Sequence, residues 1–120
     1  MTRLQVISPG PLTTIQDRGR VGWRHLGLAQ CGALDPAAAA LANRLVGNDP
    51  NEAVFELTLQ GPTLQFDRPV RLAICGARVM ARFESATGKR CVIEAGRPAG
   101  EWRWRRIVIL RDAPKIGNTT

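Results

Sequence analysis

At 120 residues the chain is long enough for one domain with a buried core and too short for two. A 44% hydrophobic share fits a soluble globular protein, no apolar run nears the roughly 18 residues of a membrane span, and the N-terminus lacks a signal-peptide pattern, so the cytoplasm is the expected location. The net charge of +7 leaves nucleic acid, an anionic substrate or an acidic partner open, but it is uneven: residues 1–100 hold 12 basic and 8 acidic groups, the last 20 hold 5 and 2.

Three widely spaced cysteines, Cys31, Cys75 and Cys91, with no CxxC pair, argue against a disulfide framework or a zinc site. Leu4–Ser8 alternates as a short strand, stopped by Pro9-Gly10. The stretch Pro9–Asp35 is then too long for a simple connector, because structureless loops beyond roughly 12–15 residues are usually functional or disordered. Leu12, Ile15, Val21, Trp23, Leu26 and Leu28 are apolar anchors that a solvated linker would lack. Gly10, Gly19, Gly22, Gly27 and Gly32 allow tight bends or close ligand approach. The stretch reads as a site.

Asp35 as N-cap and Pro36 at the first position open a helix that runs through Ala37–Val46 and stops at Gly47. Ala38, Leu41 and Leu45 share one helical face, predicted to pack on a sheet. After the turn cluster Asn48–Asn51, Ala53–Leu59 alternates as a strand, with Val54, Glu56 and Thr58 on one side and Phe55, Leu57 and Leu59 on the other. Strands are predicted at Thr63–Phe66, Val70–Cys75, Arg78–Phe83 and Arg90–Glu94, the last entered through a hairpin turn at Ala86–Lys89. Short strands at this spacing suggest an all-β barrel or sandwich. Beyond Gly96, Trp102 and Trp104 alternate with Arg103 and Arg105, and Ile107–Leu110 could extend the same strand. Basic residues with aromatics can stack nucleotide bases, but six residues are a weak signal, and an edge strand or disordered tail is favoured. Nucleic acid is not expected as a partner.

Three segments carry a resemblance when taken together: PGPLTTIQDRGRVGWRHLG at Pro9–Gly27, CGALDPAAAALANRLVGN at Cys31–Asn48, and EAVFELTLQGPTLQF at Glu52–Phe66. They resemble the start of the allophanate hydrolase subunit 2 domain, also known as the C-type subunit of 5-oxoprolinase or the biotin-dependent carboxyltransferase domain, which occurs in urea amidolyases. The resemblance runs from about Val6 to about Ile93. It implies a mostly β fold with one or two helices, part of a cyclophilin-like β-barrel. It also implies an allophanate hydrolase subunit 1-like partner, the counterpart of the B-type subunit of 5-oxoprolinase. The implied chemistry is carboxyl transfer from carboxybiotin to urea, or ATP-dependent opening of 5-oxoproline; a related pair acts instead as a non-catalytic regulator of a kinase through its inhibitor. Family domains are well over twice as long, so residues 1–95 are expected to be the N-terminal portion of such a domain. Residues 96–120 are expected to be a divergent tail, from a truncated or frameshifted reading frame or a fragment.

Within that frame Asp17 could act as general base or accept a lactam or ureido N–H; equally, it could pair with Arg18 or Arg20 or cap a turn. Arg20 and Arg24 present forks that match a carboxylate or phosphate, while Arg18 is expected to face solvent. His25, the sole histidine, could shuttle a proton or serve as a structural hydrogen-bonder. Gln16 offers a donor and an acceptor for an amide, or a tie to loop backbone. Gly19, Gly32, Asp35 and Asn43 are structural candidates, Asn43 as a side chain that reaches back into the glycine-rich stretch. Cys31 has no evident base beside it and is a poor candidate nucleophile. No P-loop, metal-ligand cluster or biotin-attachment motif is present. ATP and carboxybiotin would therefore be supplied through partner subunits.

Overall fold

The computed structural model describes residues 3–68, 70–84, 88, 90–95 and 105–112. In chain order the elements are β1 (Leu4–Ser8), β2 (Leu12–Gln16), a 3-10 turn (Arg24–Leu26), α1 (Pro36–Val46), β3 (Val54–Thr58), β4 (Thr63–Phe66), β5 (Val70–Gly76), β6 (Val79–Glu84), β7 (Arg90–Ala95) and β8 (Arg105–Asp112). They form three antiparallel sheets: β1 with β4, β6 with β7, and a four-stranded sheet in the order β2-β3-β8-β5. The fold is mostly β with one α-helix, as the sequence predicts, and no barrel closes among the described residues. No helix there is long and apolar enough to cross a membrane.

β2 lies inside the stretch that the sequence presents as one continuous loop. Thr13, Thr14 and Ile15 are β-branched and suit a pleated surface, and Leu12–Gln16 pairs in register with Val54–Thr58. The irregular segment is therefore 17–35. β3 is an inner strand with both edges paired, to β2 and β8, and side chains on both its faces are buried: Val54 and Glu56 on one, Leu57 on the other. It ends at Thr58 because Leu59 turns to a left-handed φ of 63°, outside the predicted strand pattern. β8 differs from the expected edge strand. It lies inside the sheet, paired through Phe55–Thr58 on one side and Val70–Gly76 on the other. The predicted roles of Trp102 and Trp104, and most of the turn at Ala86–Lys89, lie outside the described residues.

α1 begins as its sequence dictates, with the Asp35 carboxylate accepting the Ala38 N–H at 3.0 Å, and closes on Gly47 at φ 77°. Its buried face is not the predicted one. Ala39, Ala42, Asn43 and Val46 point inward, while Leu41 and Leu45 are 52% and 64% exposed. α1 lies on β5 and β8, and its alanines pack with Ala33, Val54, Ala73 and Cys75 in one cluster. Small side chains let the helix approach the sheet closely; leucines at the same positions would hold it off. The hydrophobic spacing is helical, as predicted, but size, not hydropathy, selects the face.

Asn43 is fully buried, and it does not reach the glycine-rich stretch. Its Nδ2 donates to the carbonyls of Glu52 at 2.9 Å and Pro50 at 3.5 Å, and its Oδ1 accepts from Asn48 Nδ2 at 3.4 Å. The side chain thus organises the turn that connects α1 to β3.

Candidate functional site

Gln16 ends β2 opposite Val54, and its Nε2 donates to Thr14 Oγ1 at 3.1 Å, a tie to its own strand. The chain then leaves the sheet through a turn that Asp17 builds itself: Oδ1 accepts the Gly19 N–H at 2.7 Å. Of the alternatives for Asp17, turn capping is what this geometry shows, and among the described residues no ion pair joins it to Arg18 or Arg20. The Asp17 carbonyl accepts from Ala33 N–H at 2.9 Å, the Arg20 N–H donates to the Gln30 carbonyl at 2.7 Å, and Gln30 Nε2 donates to the Arg18 carbonyl at 3.3 Å. Limbs 17–20 and 30–33 therefore run side by side, and the segment between them is a loop closed at its base.

Two glycines make that closure possible. Gly19, at φ 71°, lies against the Gln30 carbonyl, and a Cβ there would come within 2.7 Å of the Cys31 backbone. Gly32, at φ 88°, faces back, with 2.8 Å left between its imagined Cβ and Asp17 O, Arg18 C and Gly19 N. Both positions need the left-handed region and the missing side chain at once.

Outside the crossing, residues 21–29 are all exposed. His25 sits in the 3-10 turn, its Nδ1 at 2.9 Å from the Gly22 carbonyl. A carbonyl only accepts, so Nδ1 carries the proton and Nε2 is left as the outward ring nitrogen. Arg18, Arg20 and Arg24 are exposed, and none forms an ion pair among the described residues. Arg20 Nη2 donates to Cys31 Sγ at 3.5 Å across the base of the loop. The structure thus joins Asp17, Gly19, Arg20, Cys31 and Gly32 at the crossing. Arg24 and His25 lie midway along the excursion with local bonds only, and Asp35 and Asn43 serve the helix and its following turn.

Sequence reasoning missed two residues. Gln30 ties the limbs together. Glu56, only 3% exposed, accepts the Leu34 N–H through Oε2 at 2.7 Å and so anchors the returning limb to β3. The available signal was an acid in the middle of an otherwise apolar strand, since a buried carboxylate needs donors aimed at it.

Among the described residues no group of three His, Cys, Asp or Glu is placed to hold a metal ion. Cys75 is buried under α1, where burial first and the Asp35 charge second push its thiol pKa above the ordinary value. Its thiolate is therefore scarce near neutral pH, whereas Cys31 is exposed. Brief alkylation at pH 7.5 with peptide mass mapping is expected to modify Cys31 and leave Cys75 unmodified; equal labelling in the folded protein would contradict this packing.

A family model described as carboxyltransferase domain, subdomain A and B, matches residues 26–98. The chain is 43% identical over 96 residues to the C subunit of 5-oxoprolinase from Escherichia coli (strain K12), an overlap covering 78% of this chain and 31% of that protein. It is 44% identical over 73 residues to urea amidolyase of Lachancea kluyveri, covering 60% of this chain and 4% of that one. The crystal structure of Kluyveromyces lactis urea carboxylase superposes with a TM-score of 0.68 at 28% identity, over 90% of this chain and 10% of that chain. The chain thus spans about a third of the length of the bacterial relative and far less of the fungal ones. With more than half of its residues inside the family match, and with the same fold as a solved urea carboxylase over most of its length, the chain belongs to the carboxyltransferase domain (subdomain A and B) family.

Proposed function

We propose that residues 1–95 are the N-terminal portion of a carboxyltransferase domain of a 5-oxoprolinase- or urea amidolyase-type enzyme. It would act on a small lactam or ureido substrate, in the cytoplasm, together with an allophanate hydrolase subunit 1-like partner, the counterpart of the B-type subunit of 5-oxoprolinase. The identity with the C subunit of 5-oxoprolinase over 78% of the chain carries this reading. A protein named as one lettered subunit of an enzyme works beside others, and the loop at 17–33 offers chemistry suited to such a substrate. Arg18, Arg20 and Arg24, each exposed and without an ion-pair partner among the described residues, would attract an anionic group such as the carboxylate of 5-oxoproline. Arg20 and Arg24 are assigned its binding, the carboxylate of Asp17 accepts the amide N–H, and Gln16 lies beside it at the end of β2. His25, with Nδ1–H held by Gly22, presents Nε2 for proton transfer.

The N-terminus of α1, where backbone N–H groups would otherwise cradle an anion, is capped by the Asp35 carboxylate. We place ATP and carboxybiotin on partner subunits, where they would supply activated phosphoryl and carboxyl groups. Co-expression with a partner of the B type is expected to yield a complex with 5-oxoproline- or urea-dependent ATP turnover. Arg20→Ala should lower kcat/KM at least about tenfold, the effect of losing one hydrogen bond from a charged donor. Unchanged turnover would remove Arg20 from the site, and failure of any such partner to co-purify would remove the multi-subunit reading.

A further inference from the structure

Glu56 stands out among the buried groups. It lies in β3, where each neighbour in the strand is apolar or half-buried, and its side chain is shielded from water. An aliphatic residue would occupy an inner strand with no desolvation cost, whereas a carboxylate needs compensating donors. Here one donor is the backbone of a distant segment: Leu34 N–H, 22 residues earlier, at 2.7 Å.

The bond completes a short circuit of contacts. Glu56 pairs in register with Thr14 of β2, and β2 leads within three residues to Asp17. The Asp17 carbonyl accepts from Ala33, Leu34 follows Ala33, and Leu34 returns to Glu56. Outgoing and returning limbs are thereby fixed to the same pair of strands. Without Glu56 the returning limb is joined to the outgoing one but not, through this bond, to the sheet.

We infer that Glu56 is a positioning residue: its buried carboxylate sets the placement of the 17–33 loop against β2 and β3, and through it the geometry of Asp17 and Arg20. At 3% exposure it acts through the loop and not directly on a substrate. The inference rests on the loop's being the site only in its consequence for activity; the placement itself can be read without any turnover.

Amide hydrogen exchange in the full 120-residue chain tests it. Glu56→Gln keeps the length and an acceptor oxygen but not the charge, so the amides of Arg20, Ala33 and Leu34 should stay close to the parent rates and well below those of Glu56→Asp. Glu56→Asp keeps the charge but withdraws it by one methylene, so the Leu34 amide should exchange at least about tenfold faster, the effect of losing a hydrogen bond to a charged acceptor, and the Arg20 and Ala33 amides, whose own bonds join limb to limb, should speed up to a smaller extent. The β2–β3 amides should be unchanged in both. The inference is overturned if the aspartate variant protects the loop amides as well as the parent does. It is equally overturned if they lose protection only together with the sheet amides, which would make Glu56 a general stability residue. In the complex with the partner, faster loop exchange in Glu56→Asp with a lowered kcat and rescue by Glu56→Gln supports the full chain of effects. Altered exchange with unaltered turnover supports the placement and counts against the loop as the site.

Discussion

Gly19→Ala is expected to cost about 3 kcal/mol of stability and to abolish the loop closure, although it adds a single methyl group. Two effects combine. A non-glycine residue at φ 71° costs roughly 1–2 kcal/mol on its own. The Cβ also meets the Gln30 carbonyl and the Cys31 backbone, neither of which is a flexible side-chain end that could swing away. The limbs must separate, which breaks the 2.7 Å bond from Arg20 N–H to the Gln30 carbonyl, worth about 1 kcal/mol. Gly22→Ala separates the two contributions. Its φ is also positive, at 89°, but a Cβ there meets nothing within 4 Å, so only the conformational part remains, about 1 kcal/mol. Thermal unfolding of both variants should show Gly19→Ala lower by roughly 10 °C or more and Gly22→Ala by roughly 4 °C. Equal shifts would mean that the crossing is not tightly packed.

That comparison also shows where the sequence is informative. Helix α1 is legible because its signals are local: Asp35-Pro36 at one end, Gly47 at the other, and alanines between. Strands β3 to β7 are legible for the same reason, each bounded by turn residues. What stays hidden depends on contacts between distant segments. β2 is obscured by the glycines that follow it, and Leu12–Gln16, which does not alternate, is a strand only once β3 is placed beside it. Which helical face is buried cannot be read from hydropathy, because Leu41 and Leu45 outrank the alanines that actually face β5.

The site divides in the same way. A glycine-rich polar loop is visible, and Asp17, Gly19, Arg20 and Gly32 do meet at its base. The bonds that close it run through Gln30 and Glu56: an acid in an apolar strand signals that a donor is needed but not that it lies 22 residues away, and nothing beside Gln30 announces its partner 12 residues back. β8 is a harder case still. A segment that reads as tail lies between β3 and β5, so its neighbours are fixed by topology and not by its own composition.

Asn43→Asp should be more damaging than Asn43→Ala, although it changes one NH2 to one oxygen. The side chain is fully buried and its Nδ2 serves the carbonyls of Glu52 and Pro50. Truncation to alanine leaves those acceptors without that donor and opens a small void, for about 2–3 kcal/mol. The aspartate keeps the shape but places an acceptor against acceptors and buries a charge, which raises the loss to about 3–5 kcal/mol. Urea denaturation at pH 7 distinguishes the two: if packing volume were what matters, the isosteric aspartate would be the milder change. The consequence extends beyond the helix. Asn43 fixes the turn that delivers the chain from α1 into β3, and β3 carries Glu56, whose carboxylate holds the returning limb of the loop. A variant that lets this turn relax should therefore accelerate amide exchange at Leu34 even where the remaining fold survives. In Asn43→Ala, Leu34 exchange that stays at the parent rate while the amides of Asn48, Asn51 and Glu52 speed up would show the turn and the loop to be independent.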